Sequence, residues 1–235
     1  MAFGDLFQAV GRSTSVNTTH TASLGSPASA GNLLVVISST ISNSATFTSV
    51  SFDSGAAPTA LQTCESGNLR GWFGYKIAEG GEQTVSFTWS AGNGCCSIAE
   101  YEFVPNTLVT PVVSAENVTY ISSVLASSTA ANFGSVTPAN ATNLWVGGIA
   151  VDLDNLVYDG RSVSNSLATD ADMTNTGSRA GNAIYSKKNI AASAFNPTYT
   201  HTDTGDEVWL AAAVFEYVAS GGSSPLRKIM QYHGG

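Results

Sequence analysis

Three groups of carboxylates have the residue types and spacing that could do chemistry: Asp152 with Asp154, Asp170 with Asp172, and Asp203 with Asp206 and Glu207. Loops at one end of a β-structure can gather such oxygens around Ca²⁺, which takes about six to eight of them. None of the groups follows the D-x-D-x-D-G spacing, since Leu156 interrupts the first. Acids in turn-rich segments are ordinarily solvated, so these are expected as loop acids and no metal centre is expected. A glycosidase needs two carboxyls flanking one bond, and nothing singles out a pair here. His20, His201 and His233 are scattered, and G-x-S-x-G, H-E-x-x-H, C-x-x-C and phosphate-loop patterns are absent. No catalytic residue and no cofactor is therefore expected.

Cys64 stands alone and Cys95 and Cys96 are adjacent, which suits neither a metal site nor a disulfide framework. A bridge from Cys64 to one of the pair is compatible with the count, but buried thiols are the simpler reading. Neighbours on a strand point to opposite faces, so one of Cys95 and Cys96 should be buried and the other should face outward.

Aromatic rings are the other route to function on a β-protein, because sugars stack on them. Trp72 and Tyr158 are the rings nominated for glycan contact. Others recur at matching places in the chain, Tyr75 with Tyr185 and Tyr101 with Tyr217, which suits packing better than binding.

The end of the chain differs from the rest. Ala219-Ser220-Gly221-Gly222-Ser223-Ser224-Pro225 has the composition of a flexible linker. Beyond it, Leu226, Ile229 and Met230 fall on one side of a short helical repeat, beside Arg227, Lys228 and Tyr232. So short a helix is unstable alone in water, so these six residues are expected to order only against a partner subunit.

The elements that position these groups are β-strands, and they occur twice. Ser26-Pro27 to Val36 returns as Thr137-Pro138 to Gly147, with Pro27 to Pro138 and Asn32 to Asn143 both spaced by 111 positions. Ile98-Ala99-Glu100-Tyr101-Glu102 returns as Val214-Phe215-Glu216-Tyr217-Val218. His201 takes the place of Trp89 in this repeat and is read as a packing residue. So long a period denotes complete folding units rather than a solenoid. Within each unit, runs such as Leu33 to Ile37 and the alternation in Thr84-Val85-Ser86-Phe87-Thr88-Trp89 read as strands. Turn residues such as Asp53-Ser54-Gly55 and Gly92-Asn93-Gly94 separate them. The expectation is all-β: two tandem antiparallel β-sandwich domains, jelly-roll or immunoglobulin-like, related by internal duplication. The boundaries expected are 1–105 for the first, 106–219 for the second and 220–235 for linker and tail, with the two domains side by side, each around its own core.

Composition narrows the partners. Charged residues make up 11% of the chain, against about 25% in an ordinary globular protein, and the net charge is −8. That leaves no basic footprint for nucleic acid. No apolar run reaches the roughly 18 residues of a membrane span, so no membrane association is expected. The start, Met1-Ala2-Phe3-Gly4-Asp5-Leu6-Phe7, lacks the basic and apolar regions of a secretory signal.

One resemblance covers most of both repeats. Ala30-Gly31-Asn32-Leu33-Leu34-Val35-Val36, Asp53-Ser54-Gly55, Gly74-Tyr75-Lys76-Ile77-Ala78, Gly80-Gly81, Thr84 to Thr88 and Glu100-Tyr101 resemble the β-sandwich modules of tailed-bacteriophage structural proteins and of some bacterial surface proteins. The resemblance implies a non-enzymatic virion component, such as a capsid decoration, a head or collar fibre or a tail-associated subunit. It implies capsid or tail proteins as partners, made and assembled in the host cytoplasm, and a homo-oligomer of the symmetric kind common in appendages, a trimer by analogy. The alternative is a carbohydrate-binding adhesin or receptor-binding module that meets a host-surface glycan.

Overall fold

A computed structural model of the chain describes residues 3–14, 17–103, 118–125, 130–138, 142–152, 162–174, 180–191, 193–200 and 207–216. Strands carry the whole framework. The first half holds β1 (Leu6–Thr14), β2 (Thr19–Ser23), β3 (Leu33–Ile41), β4 (Phe47–Phe52), β5 (Thr59–Ser66), β6 (Leu69–Ile77), β7 (Thr84–Trp89) and β8 (Asn93–Tyr101). The second holds β9 (Val118–Leu125), β10 (Ala130–Asn132), β11 (Asn143–Asp152), β12 (Ser162–Val163), β13 (Ala168–Thr174), β14 (Ala180–Lys188), β15 (Thr198–Thr200) and β16 (Glu207–Glu216). All pairings between these strands are antiparallel.

They form two five-stranded and two three-stranded sheets. The first half contributes β1-β8-β3-β6-β5 and β2-β7-β4; the second contributes β13-β14-β11-β16-β9 and β10-β15-β12. Adding eight to each strand number of the first half reproduces the second. The ladders agree in detail. Leu33 faces Ile77 and Tyr101 in the way that Leu144 faces Lys188 and Phe215.

The sheets stack in four layers, three strands, five, five and three. In β3 the odd positions Leu33, Val35 and Ile37 point inward to a core shared by the two large sheets, while Leu34 and Val36 point to the small sheet β2-β7-β4. In β11, Leu144, Val146 and Ala150 meet the same shared core, and Trp145, Ile149 and Val151 face β10-β15-β12. The strict two-residue period of a strand makes this division, and both faces are covered, so β3, β8, β11 and β16 are buried almost end to end. The expected side-by-side arrangement is therefore corrected: the halves meet face to face and share their central core.

Full coverage also corrects the expectation for the cysteines. Cys96 points to the small sheet and Cys95 to the opposing large sheet; both are fully buried, and none of the three cysteines is in a disulfide. Burial pushes the Cys95 thiol up to about 12, against the opposing pull of hydrogen bonds from Ser39 and Asn182.

The central interface has a two-fold pattern. β1 lies against β13 and β5 against β9; β8 against β14 and β6 against β16; and β3 lies against β11. Exchanging the halves turns each contact into another on the same roster, which is the signature of an isologous interface. Two glycines let the layers close. A Cβ on Gly71 would fall within the ring of Trp209, and a Cβ on Gly148 would stand 2.8 Å from Ile37 and 2.9 Å from Phe73.

Candidate functional site

The two-fold pattern supplies an internal comparison, because each end of the central interface has a counterpart. At one end the register places Tyr75 opposite Val35 and Ile77 opposite Leu33, and the β5 ladder skips Leu61 between Ala60 and Gln62. At the other, Ser186 lies opposite Val146 and Lys188 opposite Leu144, and the β13 ladder skips Asp170 between Thr169 and Ala171. Leu61 thus corresponds to Asp170, Tyr75 to Ser186, Ile77 to Lys188 and Phe215 to Tyr101. In each pair the side chain at the second end is the more polar.

The consequence is chemical as well as geometric. At the apolar end the Tyr75 and Phe215 rings meet edge to face with centroids 5.2 Å apart, and Leu61 packs on the same core. At the polar end Tyr101 Oη donates to Asp170 Oδ2 at 2.6 Å, and the Ser186 hydroxyl bonds to both. Burial raises the Asp170 carboxyl above its ordinary value, although the bonds from Ser186 and Tyr101 pull it back. Tyr101 is driven well above its ordinary value by burial first, then by the Asp170 charge and by its hydrogen bond to it. The pair joins the two halves, since Tyr101 ends β8 and Asp170 bulges from β13.

With a serine where the other end has a tyrosine ring, the polar end opens to solvent. A cleft of about 390 Å³ lies there, lined by Gly4, Asp5, Leu6, Ser166, Ala168, Asp170 and the run Ser186 to Asn189. Lys188 Nζ pairs with Asp5, and Lys187 Nζ donates to the Asn165 carbonyl and sits 5.7 Å from the Phe195 ring centre. Asn165, Ser166 and Asn189 have φ of 65°, 52° and 53°. Among the described residues, these are the non-glycine positions held in the left-handed region; Ser166 and Asn189 line the cleft, and Asn165 precedes Ser166. A left-handed φ costs such residues energy that the surroundings must offset.

Elsewhere, several buried polar groups serve the framework. Lys76 Nζ meets Glu82 Oε1 at 2.7 Å, and Glu82 also accepts from the backbone of Glu79 and Gly80 at 2.8 and 2.9 Å. Burial acts to raise the Glu82 carboxyl, but the Lys76 bond and those backbone amides outweigh it and the net direction is down. Glu100 accepts from Asn32 Nδ2 at 2.7 Å, from the Ser29 amide at 2.9 Å and from Gln8 at 2.6 Å. Arg70 spends its donors on the carbonyls of Ala45, Gly67, Leu69 and Asn43, which fixes the turns at the far edge.

The nominated glycan contacts fare unequally. Trp72 is 2% exposed and packs against Phe47 and Phe87 with ring centres 5.8 and 5.3 Å away, so it is a core residue and has no free face for a sugar. Tyr158 lies outside the described residues, as do Leu226, Arg227, Lys228, Ile229, Met230 and Tyr232 of the tail, and His201 and His233. Of the acids, Asp154, Asp203 and Asp206 lie outside them too. Asp152 and Asp170 are corrected from loop acids to strand residues, and Asp152 is buried. Glu207 begins β16 and accepts the backbone amides of Asn68 and Leu69 at 2.9 and 3.0 Å, capping a turn of the other half. Among the described residues no three His, Cys, Asp or Glu converge on a metal-sized site.

The matched tyrosines are also revised. Tyr75 corresponds to Ser186 and Tyr185 to Gly74, so Tyr75 faces the shared core and Tyr185 the outer one. That motif match was one residue out of register, which on a strand changes the face, and the match of Tyr101 with Tyr217 was two out, since Tyr101 corresponds to Phe215. Asp170 was visible in the sequence, but its bulge was not.

No family model, no curated protein and no solved structure matches the chain. No helix among the described residues is long and apolar enough to cross a membrane.

Proposed function

We propose that this protein is a non-enzymatic structural component of a tailed-bacteriophage virion, a capsid decoration, head or collar fibre or tail-associated subunit, built by tandem duplication of a jelly-roll unit. The observation that carries the reading is the matched strand order of the halves. A chain that passes between the sheets as β1-β8-β3-β6 and β2-β7-β4 favours a jelly roll over an immunoglobulin-like sandwich, with β5 added to the larger sheet. Jelly rolls recur in viral capsids and in lectins. The four-layer stack suits an assembly role: its large sheets expose little of either face, and its buried polar groups hold turns. Fold alone does not fix function, so the motif resemblance and the neutral, Ser- and Thr-rich composition are needed beside it.

The partners on this reading are other capsid or tail proteins and further copies of the chain. Antibody against the purified protein, applied to gradient-purified particles, should find it at a fixed copy number per particle. A protein absent from particles is not a virion component. Native mass spectrometry of the 24.2 kDa chain tests the trimer.

The second reading, a carbohydrate-binding or receptor-binding module, is favoured by one specific observation, the polar cleft at Asp170. It is compatible with the first, since receptor-binding appendages are virion proteins too.

A further inference from the structure

We propose that the cleft at Asp170 is a binding site for a small, neutral, hydroxyl-rich ligand of the saccharide or polyol class. The inference stands whether or not the protein belongs to a virion, and it moves the glycan contact away from Trp72.

Charge sets the class of ligand. The lining carries two carboxylates, Asp5 and Asp170, and two ammonium groups, Lys187 and Lys188. The cations are engaged, Lys188 by Asp5 and Lys187 by the Asn165 carbonyl, so the cleft holds no unpaired positive charge to draw an anion. Nor is Asp170 a bare carboxylate for a cation, because Tyr101 and Ser186 already donate to it or share its proton network. What the lining offers instead is a mixed set of acceptors and donors: the second lone pairs of Asp170, the hydroxyls of Ser166 and Ser186, the Asn189 amide and the lysine ammonium protons. Hydroxyl groups, each donor and acceptor at once, are complementary to such a set. Leu6, 40% exposed, gives an apolar wall for the C–H face of a ring. A cleft of about 390 Å³ lies at the small end of the range for ligand sites and takes one or two sugar rings.

The counterpart end shows that folding does not demand these groups. There the same backbone carries Leu61, Tyr75, Ile77 and Phe215 and closes as core. Four differences toward greater polarity in one place, with left-handed non-glycine residues around them, mark a position kept for contact with a ligand rather than for packing.

The test uses the full-length protein and a panel of neutral mono- and disaccharides with glycerol, screened by saturation-transfer NMR, with inorganic phosphate and methylammonium as charged probes. At least one neutral probe should bind and move the amide resonances of Ser166, Ser186 and Asn189. Asp170→Leu and Ser186→Tyr, which rebuild the apolar end, should each weaken that binding tenfold or more, whereas Leu61→Ala should leave it unchanged. If a variant does not fold, the shift map of the unsubstituted protein decides: shifts confined to other parts of the molecule overturn the proposal. Binding by a charged probe alone, no binding by any member of the panel, or unchanged affinity in both folded variants overturns it equally. A protein missing from particles that still binds through Asp170 would end the virion reading and leave this one standing.

Discussion

Replacing Gly71 by alanine tests whether the two halves share one core. Gly71 lies on β6 and faces Trp209 of β16, a fully buried residue of the other half. An added Cβ would fall within the ring near Cε3 and Cζ3 and lie 3.1 Å from Cδ2. Carbon pairs prefer about 3.5 to 4.0 Å, so the ring must retreat on the order of 1 Å. It has little room, because it is fully buried in the shared core. Overpacking of this kind costs about 1 to 3 kcal/mol, and the lower entropy of the unfolded alanine chain returns about 0.4 to 1. The expected loss is about 0 to 2.6 kcal/mol, or up to roughly 10 °C in Tm for a chain of this size. Chemical denaturation followed by tryptophan fluorescence and by circular dichroism should give one coincident transition, moved to lower denaturant. Trp209→Phe in the same molecule should relieve part of the clash, so the double-mutant cycle should depart from additivity by 0.5 kcal/mol or more, on the order seen for residues in contact. Strict additivity would mean that Gly71 and Trp209 do not meet, and two separate transitions would mean that the halves fold around separate cores.

Tyr101→Phe removes the donor to Asp170; the expected cost is about 1 to 3 kcal/mol, and the Asp170 carboxyl, followed by carbon NMR, should titrate higher than before. His20 is buried with its pKa lowered from 6.5, chiefly by burial, so the stability it contributes is present above pH 6.5 and is lost as the pH falls toward its folded value. His20→Gln should flatten that part of the pH–stability curve, and an unchanged slope would place the proton uptake elsewhere. Glu82→Gln should destabilise by about 1 to 3 kcal/mol, since Lys76 loses its buried partner but keeps Glu79 at 3.3 Å and the Ala56 carbonyl at 2.9 Å, and the stability tied to the Glu82 charge should be lost as the pH falls below the ordinary 4.5 through the lower folded value. The three cysteines should resist a thiol reagent in the native state and react together on unfolding; rapid labelling of Cys95 in native protein would contradict its burial.

The strands and their two-fold repetition were legible because they rest on local signals. The apolar run at Leu33 to Ile37 is a strand, and the Pro27–Asn32 motif finds its counterpart 111 positions on at Pro138–Asn143. Leu34 and Phe87 pack in the core of one small sheet, and Trp145 and Tyr199 in that of the other. The layer order was not legible. A continuous apolar strand states only that both faces are covered, and it does not name what covers them. Hence Cys95 was expected to differ from Cys96 in exposure, and Trp72 was open to a sugar-stacking reading. Both expectations fail for one reason, that a large sheet with a small sheet on one side and its twin on the other has no free face. The bulges at Leu61 and Asp170 were hidden as well, since a single extra residue leaves no mark in a period of two.

The bulges bear on why the two ends of the interface diverged where they did. Because a bulged residue leaves the ladder, its side chain can be exchanged without breaking a backbone pair. Leu61 and Asp170 occupy such positions at the strands β5 and β13, each at the edge of its large sheet, where the shared core meets solvent. Deeper pairs have less freedom. Trp209 against Gly71 on one side corresponds to Cys95 against Asn182 on the other, with Asn182 Nδ2 3.0 Å from Cys95 Sγ, so a large ring facing no side chain is balanced by two medium ones. Inside the core, the space must stay filled and polarity is satisfied within the pair, Asn182 also accepting from Ser97 at 2.5 Å. At the edge neither constraint holds, and an apolar plug at one end can become a polar cleft at the other while the framework stays intact. Function on a four-layer stack of this kind is thus expected at the rim of the central interface, where the halves are free to differ, and not at its two-fold centre.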